Sequence, residues 1–456
     1  MIKHFFQNAF IQGKWVKNVT LTVGDDGCVA AIETDSAGAG ADNQGGVLVP
    51  GMPNLHSHAF QRAMAGLGEI AGPGDDSFWS WRSVMYKFLA EIDPEDMEAI
   101  AAQLYLEMLK SGFTSVGEFH YLHHQKDGTP YANPAEMSLR VMAAAEQVGL
   151  QMTLLPVLYS YSGFGEAAPT DGQRRFIHST DAYLDLVDRL VAETAGRPGF
   201  DVGLTPHSLR AVSRDQLQAL AEYRTPEMPV HIHIAEQMKE VNDCLDWSGQ
   251  RPVEWLLNNT TVDENWCLVH ATHLTPQEVQ GIAERGAVVG LCPVTEANLG
   301  DGLFPVEDFL SQGGRFGIGS DSNINISVAE ECRILEYGQR LVRQKRTLIA
   351  ERNASNGERI LSLAVEGGAQ ALCPGKPAGI AVGAPANYLT LDENHPALVG
   401  RGVQNIVDGW LFAGNNSVVK DVYVAGRPVI RNGHHDREEE ILARFSTVMK
   451  RLATKI

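Results

Sequence analysis

From Pro50 onward, short β-branched apolar runs alternate with amphipathic segments of helical period, and that alternation restricts the chain to a parallel sheet wrapped by helices. The runs predict strands at Leu48 to Asn54, Thr114 to Glu118, Gln151 to Leu158, Asp201 to Pro206, Pro229 to Ala235, Trp266 to His270, Ala287 to Cys292 and Arg315 to Ser320. Between them, Asp93-Pro94 opens a helix whose Met97, Ile100, Ala101, Leu104 and Met108 share a face. Ser213 caps SRDQLQALAEY, and Thr275-Pro276 starts a helix that ends near Gly286. Eight strand-helix units in about 320 residues predict a (β/α)8 barrel of the TIM type, a fold that typically takes about 250 residues plus insertions. The long connection from Ala59 to Ile92 is one such insertion.

The two ends read differently. Phe6 to Val23 and Gly379 to Gly433 are rich in short strand-like pieces and turns, such as QGKWVKNVTLTV and DVYVAGRPVIRNG. They predict one small β-sandwich domain that the chain enters, leaves for the barrel and re-enters. The expected division is residues 1–49 for its first part, 50–375 for the barrel, and 376–456 for its second part plus a C-terminal helix. A chain of 456 residues with 44% hydrophobic and 20% charged side chains can bury such a core and is not of a disordered kind. The net charge of −19 argues against nucleic acid or an anionic membrane as partner, because both require basic patches. Six cysteines without CxxC spacing, no long apolar run and no signal-peptide pattern fit a reduced cytoplasm. A homodimer is the default oligomer for a soluble enzyme of this kind.

Catalytic groups of such barrels stand at the C-terminal ends of the strands. The first strand runs into PGMPNLHSHAF, where His56 and His58, two apart, face the same side. The fifth, VHIHIAEQ, brings His233 and, three residues later, Glu236. The sixth ends in LVHATH with His270 and His273, the eighth in FGIGSDSN with Asp321, and the fourth in TPHSLR with His207 and Arg210. Any one of these histidines alone is more simply a polar residue satisfied by the backbone. Together, His56, His58, His233 and Asp321 make a His3Asp set suited to one divalent metal, Zn2+ or Fe2+, with a position left open for water.

The order of HxH, HxxE, a strand-six histidine and a strand-eight aspartate resembles the amidohydrolase superfamily, in its mononuclear deaminase branch. No lysine accompanies His207 on strand four, which favours one ion over two. The resemblance implies hydrolytic attack on a C=N carbon with loss of ammonia. It casts Asp321 and His270 as the groups that activate or orient water, and Glu236 as the proton carrier to the departing nitrogen. One departure is Ala386-Asn387, where relatives often carry Ala-Asp; it concerns the β domain.

Arg82, among the aromatics of SFWSWRSVMY, and Arg210 stand near the mouth, and guanidinium pairs bidentately with carboxylate. They suggest an anionic, carboxylate-bearing substrate, whereas Arg62 reads as structural. NLHSHAFQRAMAG, FWSWRSVMY, GEFHYLHH and TPHSLRAV resemble the formimidoylglutamate deiminase (N-formimino-L-glutamate iminohydrolase) family of histidine breakdown. That resemblance implies a dicarboxylate substrate held by Gln61, Arg82, Tyr121, His207 and Arg210. Two other readings compete: a superfamily deaminase acting on a nucleobase such as guanine or cytosine, and a noncatalytic barrel scaffold.

Overall fold

Eight parallel strands close into a barrel in the order in which the chain makes them. They are Met52–Ser57, Phe113–His120, Gln151–Leu158, a fourth in two pieces (Phe200–Val202 and Thr205–Pro206), Val230–Ile234, Trp266–His270, Val288–Leu291 and Arg315–Ile318. Strand eight pairs with strand one at Ile318 and Asn54, and parallel bridges from Leu204 to Val230 and Ser208 to His233 close the ring between strands four and five. This computed structural model describes residues 1–70 and 78–455. Ala71 to Ser77 of the predicted insertion, and the side chains of Phe78, Trp79 and Ser80 in SFWSWRSVMY, lie outside the described residues.

The predicted strand from Leu48 to Asn54 is in fact two strands in different sheets. Asn43–Pro50 belongs to the small β domain and Met52–Ser57 to the barrel. Gly51 joins them: its N–H donates to the Asn387 carbonyl at 3.1 Å, and a Cβ there would meet the Thr114 side chain at 2.3 Å. Both flanks are apolar and buried, so hydropathy carries no trace of the boundary.

Strands from both chain ends form one hydrogen-bonded path of seven: Arg427–Ile430, Val419–Val424, Tyr388–Leu391, Asn43–Pro50, Ile2–Ile11, Lys14–Val23 and Val29–Glu33. Only the pair Ile2–Ile11 with Asn43–Pro50 is parallel. Phe6, Val19, Leu21, Leu48 and Tyr388 fill its core. Asn387, the departure noted above, links this domain to the barrel: Nδ2 donates to Gln151 Oε1 at 2.7 Å and Oδ1 accepts from the Ala425 N–H at 2.8 Å.

The helices start where capping chemistry places them. Asp93 closes a capping box with Asp96 ahead of the helix Pro94–Ser111, Ser213 caps Arg214–Tyr223, and Thr275 caps Pro276–Arg285. A last barrel helix, Asn356–Leu372, runs against strands one and eight, and its C-terminal carbonyls reach inside: Leu372 accepts from Thr153 Oγ1 and Ala371 from His231 Nε2. Glycines make that approach possible. A Cβ at Gly367 would lie 1.9 Å from the Phe316 carbonyl oxygen, a backbone atom that cannot rotate away. Gly367→Ala is therefore expected to destabilise the fold by at least the roughly 1–3 kcal/mol typical of overpacking. A thermal unfolding midpoint equal to the parent's would mean that this helix shifts freely.

Candidate active site

The strand-end side chains converge on one point. His56 is the penultimate residue of a fully buried strand, and His58 keeps extended backbone, so both imidazoles turn into the barrel mouth. His56 Nε2 lies 3.2 Å from His58 Nε2 and 3.0 Å from His233 Nε2. Asp321 Oδ1 lies 3.4 Å from His56 Nε2 and 3.2 Å from His58 Nε2. Four residues delivered from strands one, five and eight thus present one donor atom each within 4.8 Å of one another, all buried.

The surroundings fix which atoms face inward. His58 Nδ1 donates to the Phe119 carbonyl at 2.8 Å and His233 Nδ1 to the His207 carbonyl at 3.1 Å, leaving both Nε2 lone pairs aimed at the centre. His56 Nε2 sits against both and can donate to only one of them. A cation would resolve that crowding, and all four residues offer a donor atom within 4.8 Å of the others. Protonation states agree with this use. Burial pushes His56 down to about 3 and His233 well below its ordinary value, so both are neutral. Burial alone would raise Asp321, but the imidazoles of His56 and His58 beside it hold it well below the carboxylate range. Neutral imidazoles and an ionised carboxylate are what a divalent ion requires.

Backbone strain collects here as well. Ala235, His270, Ala271, Asp321 and Asn323 all take left-handed φ between 44° and 67°. Side chains behind them hold these bends: Glu240 accepts from the N–H groups of Ala235 and Glu236, and Ser320 Oγ joins Asn54 to Asn323.

Beside the His3Asp cluster stands a second group. His270 Nε2 lies 3.7 Å from Glu236 Oε1 and 3.8 Å from Asp321 Oδ2, while His270 Nδ1 lies 3.3 Å from Glu296 Oε1. Burial opposes a charge on His270, but Glu236, Glu296 and Asp321 outweigh it and lift the imidazole to about 10. Burial likewise raises the Glu236 carboxyl, with His270 and Arg210 pulling the other way. Asp321 therefore turns one oxygen to the imidazole cluster and the other to His270.

Above these groups, Gln61, Arg82, Tyr121, His207 and Arg210 line one pocket with the cluster at its floor. Gln61 Nε2 donates to Tyr121 Oη at 3.1 Å, and the Arg82 guanidinium lies over the Tyr86 ring. Arg210 is buried, and its Nε makes no hydrogen bond among the described residues. Every residue assigned a site role from the sequence reaches this place, whereas His273, three residues past His270, lines neither the cluster nor the pocket. Arg62 does not reach it: it is paired with Glu107 at 2.8 Å and donates to the Asn323 carbonyl, as a structural arginine would. His120, next to Tyr121, turns away from the pocket and packs against His123.

Sequence reasoning missed Tyr159, Tyr86, Phe176, Leu299 and Glu296. Tyr159 follows LPVL at the end of strand three and Glu296 follows strand seven in CPVTEAN, so a survey of those two strand ends would have reached them. Phe176 and Leu299 come from connections with no local signal.

The amidohydrolase family pattern matches residues 47–429. The chain belongs to that family. It is 52% identical to the formimidoylglutamate deiminase of Pseudomonas aeruginosa over 98% of this chain and 99% of that one. The 5-methylthioadenosine/S-adenosylhomocysteine deaminase of Natronomonas pharaonis is 27% identical over 88% of this chain and 84% of its own. The crystal structure of an amidohydrolase from Brucella melitensis superposes with a TM-score of 0.95 at 45% identity, covering 99% of this chain and 100% of that one. An adenosine deaminase of Xanthomonas campestris, solved with bound zinc, has a TM-score of 0.81 at 22% identity, covering 99% of this chain and 98% of its own; at that distance it speaks to the fold. An amidohydrolase with this His3Asp cluster is an enzyme, a hydrolase, and not a scaffold.

Proposed function

We propose that this chain hydrolyses N-formimino-L-glutamate to N-formyl-L-glutamate and ammonia, a step of histidine breakdown. The observation that carries the reading is the pair of arginines, half-buried Arg82 and buried Arg210, in the same pocket as the His3Asp cluster. A neutral nucleobase has no use for two guanidinium groups, whereas a substrate with a formimino end and two carboxylates matches both ends of the pocket. The high identity to the Pseudomonas aeruginosa deiminase over almost the whole of both chains supports the same substrate.

His56, His58, His233 and Asp321 would hold the divalent ion, zinc or iron, whose chemistry is to make water a nucleophile near neutral pH. The remaining steps belong to the chain. The arginines anchor the carboxylates and so fix the distance of the formimino carbon from the floor. Asp321 accepts a proton from the attacking water, and His270, held among Glu236, Glu296 and Asp321, stabilises the oxygen that gains negative charge on the formimino carbon. Glu236 delivers protons to the imino nitrogen. The new C–O bond forms, the former C=N bond breaks, and the nitrogen, having gained two protons from the water, leaves as ammonia.

Ammonia release from formiminoglutamate, formiminoaspartate and guanine on ion-loaded protein tests this directly. Turnover of guanine alone would reject the reading. Arg82→Met and Arg210→Met are each expected to raise KM for formiminoglutamate by about tenfold or more, the scale of a lost charge-assisted hydrogen bond, with a smaller change in kcat. A KM unchanged in both variants would place the carboxylates elsewhere.

A further inference from the structure

We infer that Tyr159 is a third ligand of the substrate's carboxylates, donating its phenolic O–H, and that Gln173 is the positioning residue that aims it. The inference rests on the formiminoglutamate reading above.

Tyr159 stands just beyond the third barrel strand, buried at 3% exposure, and lines the pocket with Arg82 and Arg210. Its oxygen has two hydrogen-bond partners among the described residues, and both are donors. Arg82 donates to it at 3.0 Å, and a guanidinium has no acceptor to offer. Gln173, which does not line the pocket, donates to it from Nε2 at 2.7 Å. The orientation of that amide is fixed by the hydrogen-bond pattern. Gln173 Oε1 accepts from the Thr170 N–H at 2.8 Å and from Thr170 Oγ1 at 3.0 Å, so the end facing Tyr159 is the NH2. Two donors occupy the oxygen's lone pairs, and the phenol's own proton goes to neither.

No group among the described residues accepts that proton. A buried donor without an acceptor is destabilising, and wild-type pockets keep such groups where a ligand completes them. The missing partner must be an acceptor, must reach the space that Tyr159 shares with two guanidinium groups, and is best negatively charged. A carboxylate oxygen meets all three conditions, and the same oxygen can bridge Tyr159 and Arg82. Because Gln173 presets the hydroxyl, the contact forms without reorganising the pocket.

Tyr159→Phe keeps the ring and removes only the donor. It is expected to raise both KM for N-formimino-L-glutamate and the competitive Ki of N-formyl-L-glutamate by about tenfold, while kcat stays within about twofold. On the two monoamides of the substrate the penalty should vanish for one, the compound lacking the carboxylate that Tyr159 touches, and persist for the other. In an Arg82→Met background, Tyr159→Phe should still weaken binding. Unchanged KM and Ki would overturn the inference, as would equal losses on both monoamides. A penalty that disappears once Arg82 is gone would reduce Tyr159 to a support for that arginine and would overturn it too. Wild-type protein that releases no ammonia from formiminoglutamate would instead reject the proposed function, and this inference with it.

Discussion

Replacing Glu236 with glutamine is expected to leave the divalent ion bound and to lower kcat by about 10²-fold or more, the usual scale for loss of a positioned proton carrier. The variant is nearly isosteric, and the Glu236 N–H, which Glu240 accepts, is untouched, so the strand-five turn should hold its shape. What changes is the atom 3.7 Å from His270 Nε2: a carboxylate oxygen that can hold and release a proton becomes an amide that cannot. Since Glu236 is outside the His3Asp set, ion content by elemental analysis should match the parent. Turnover near the parent's value would remove Glu236 from the reaction. Loss of the ion alongside loss of turnover would mean instead that Glu236 supports the cluster.

Asp321→Ala is the second large effect, and its signature is different. Asp321 is the only carboxylate of the cluster, 3.2 Å from His58 Nε2 and 3.4 Å from His56 Nε2, and its other oxygen faces His270. On the proposed mechanism its removal takes away a ligand and the acceptor of the water's proton in one change. We expect bound ion to fall below stoichiometry after dialysis, and turnover to drop by more than the roughly 10–100-fold seen when only an outer partner of a metal ligand is lost. Added Zn2+ should restore occupancy in part and turnover much less. A variant that keeps one tightly held ion and most of its activity would show that the ligands lie elsewhere.

How much of this was legible in the chain follows from the range over which each feature is set. Barrel strands announce themselves because a strand covered on both faces must be apolar throughout, and the caps at Asp93, Ser213 and Thr275 are local hydrogen-bond devices. His56 and His58 could be paired from their spacing alone, since the strand period is two. The Gly51 boundary could not be seen: apolar burial continues across it, and what separates the two strands is the side chain of Thr114 and the carbonyl of Asn387, far along the chain.

The sequence by itself determined the kinds of groups available and the strand ends that carry them: three imidazoles and an aspartate able to hold an ion, the Glu236 carboxylate beside them, and two arginines near the mouth. Tertiary structure alone decided which nitrogen of each imidazole faces the centre, that His270 is held among three carboxylates, and that Tyr159 receives two hydrogen bonds and has its own left to give. The physical reason is that composition and periodicity are properties of neighbours in the chain. The direction of a hydrogen bond and the local electric field depend on atoms that meet only when distant strands close the barrel.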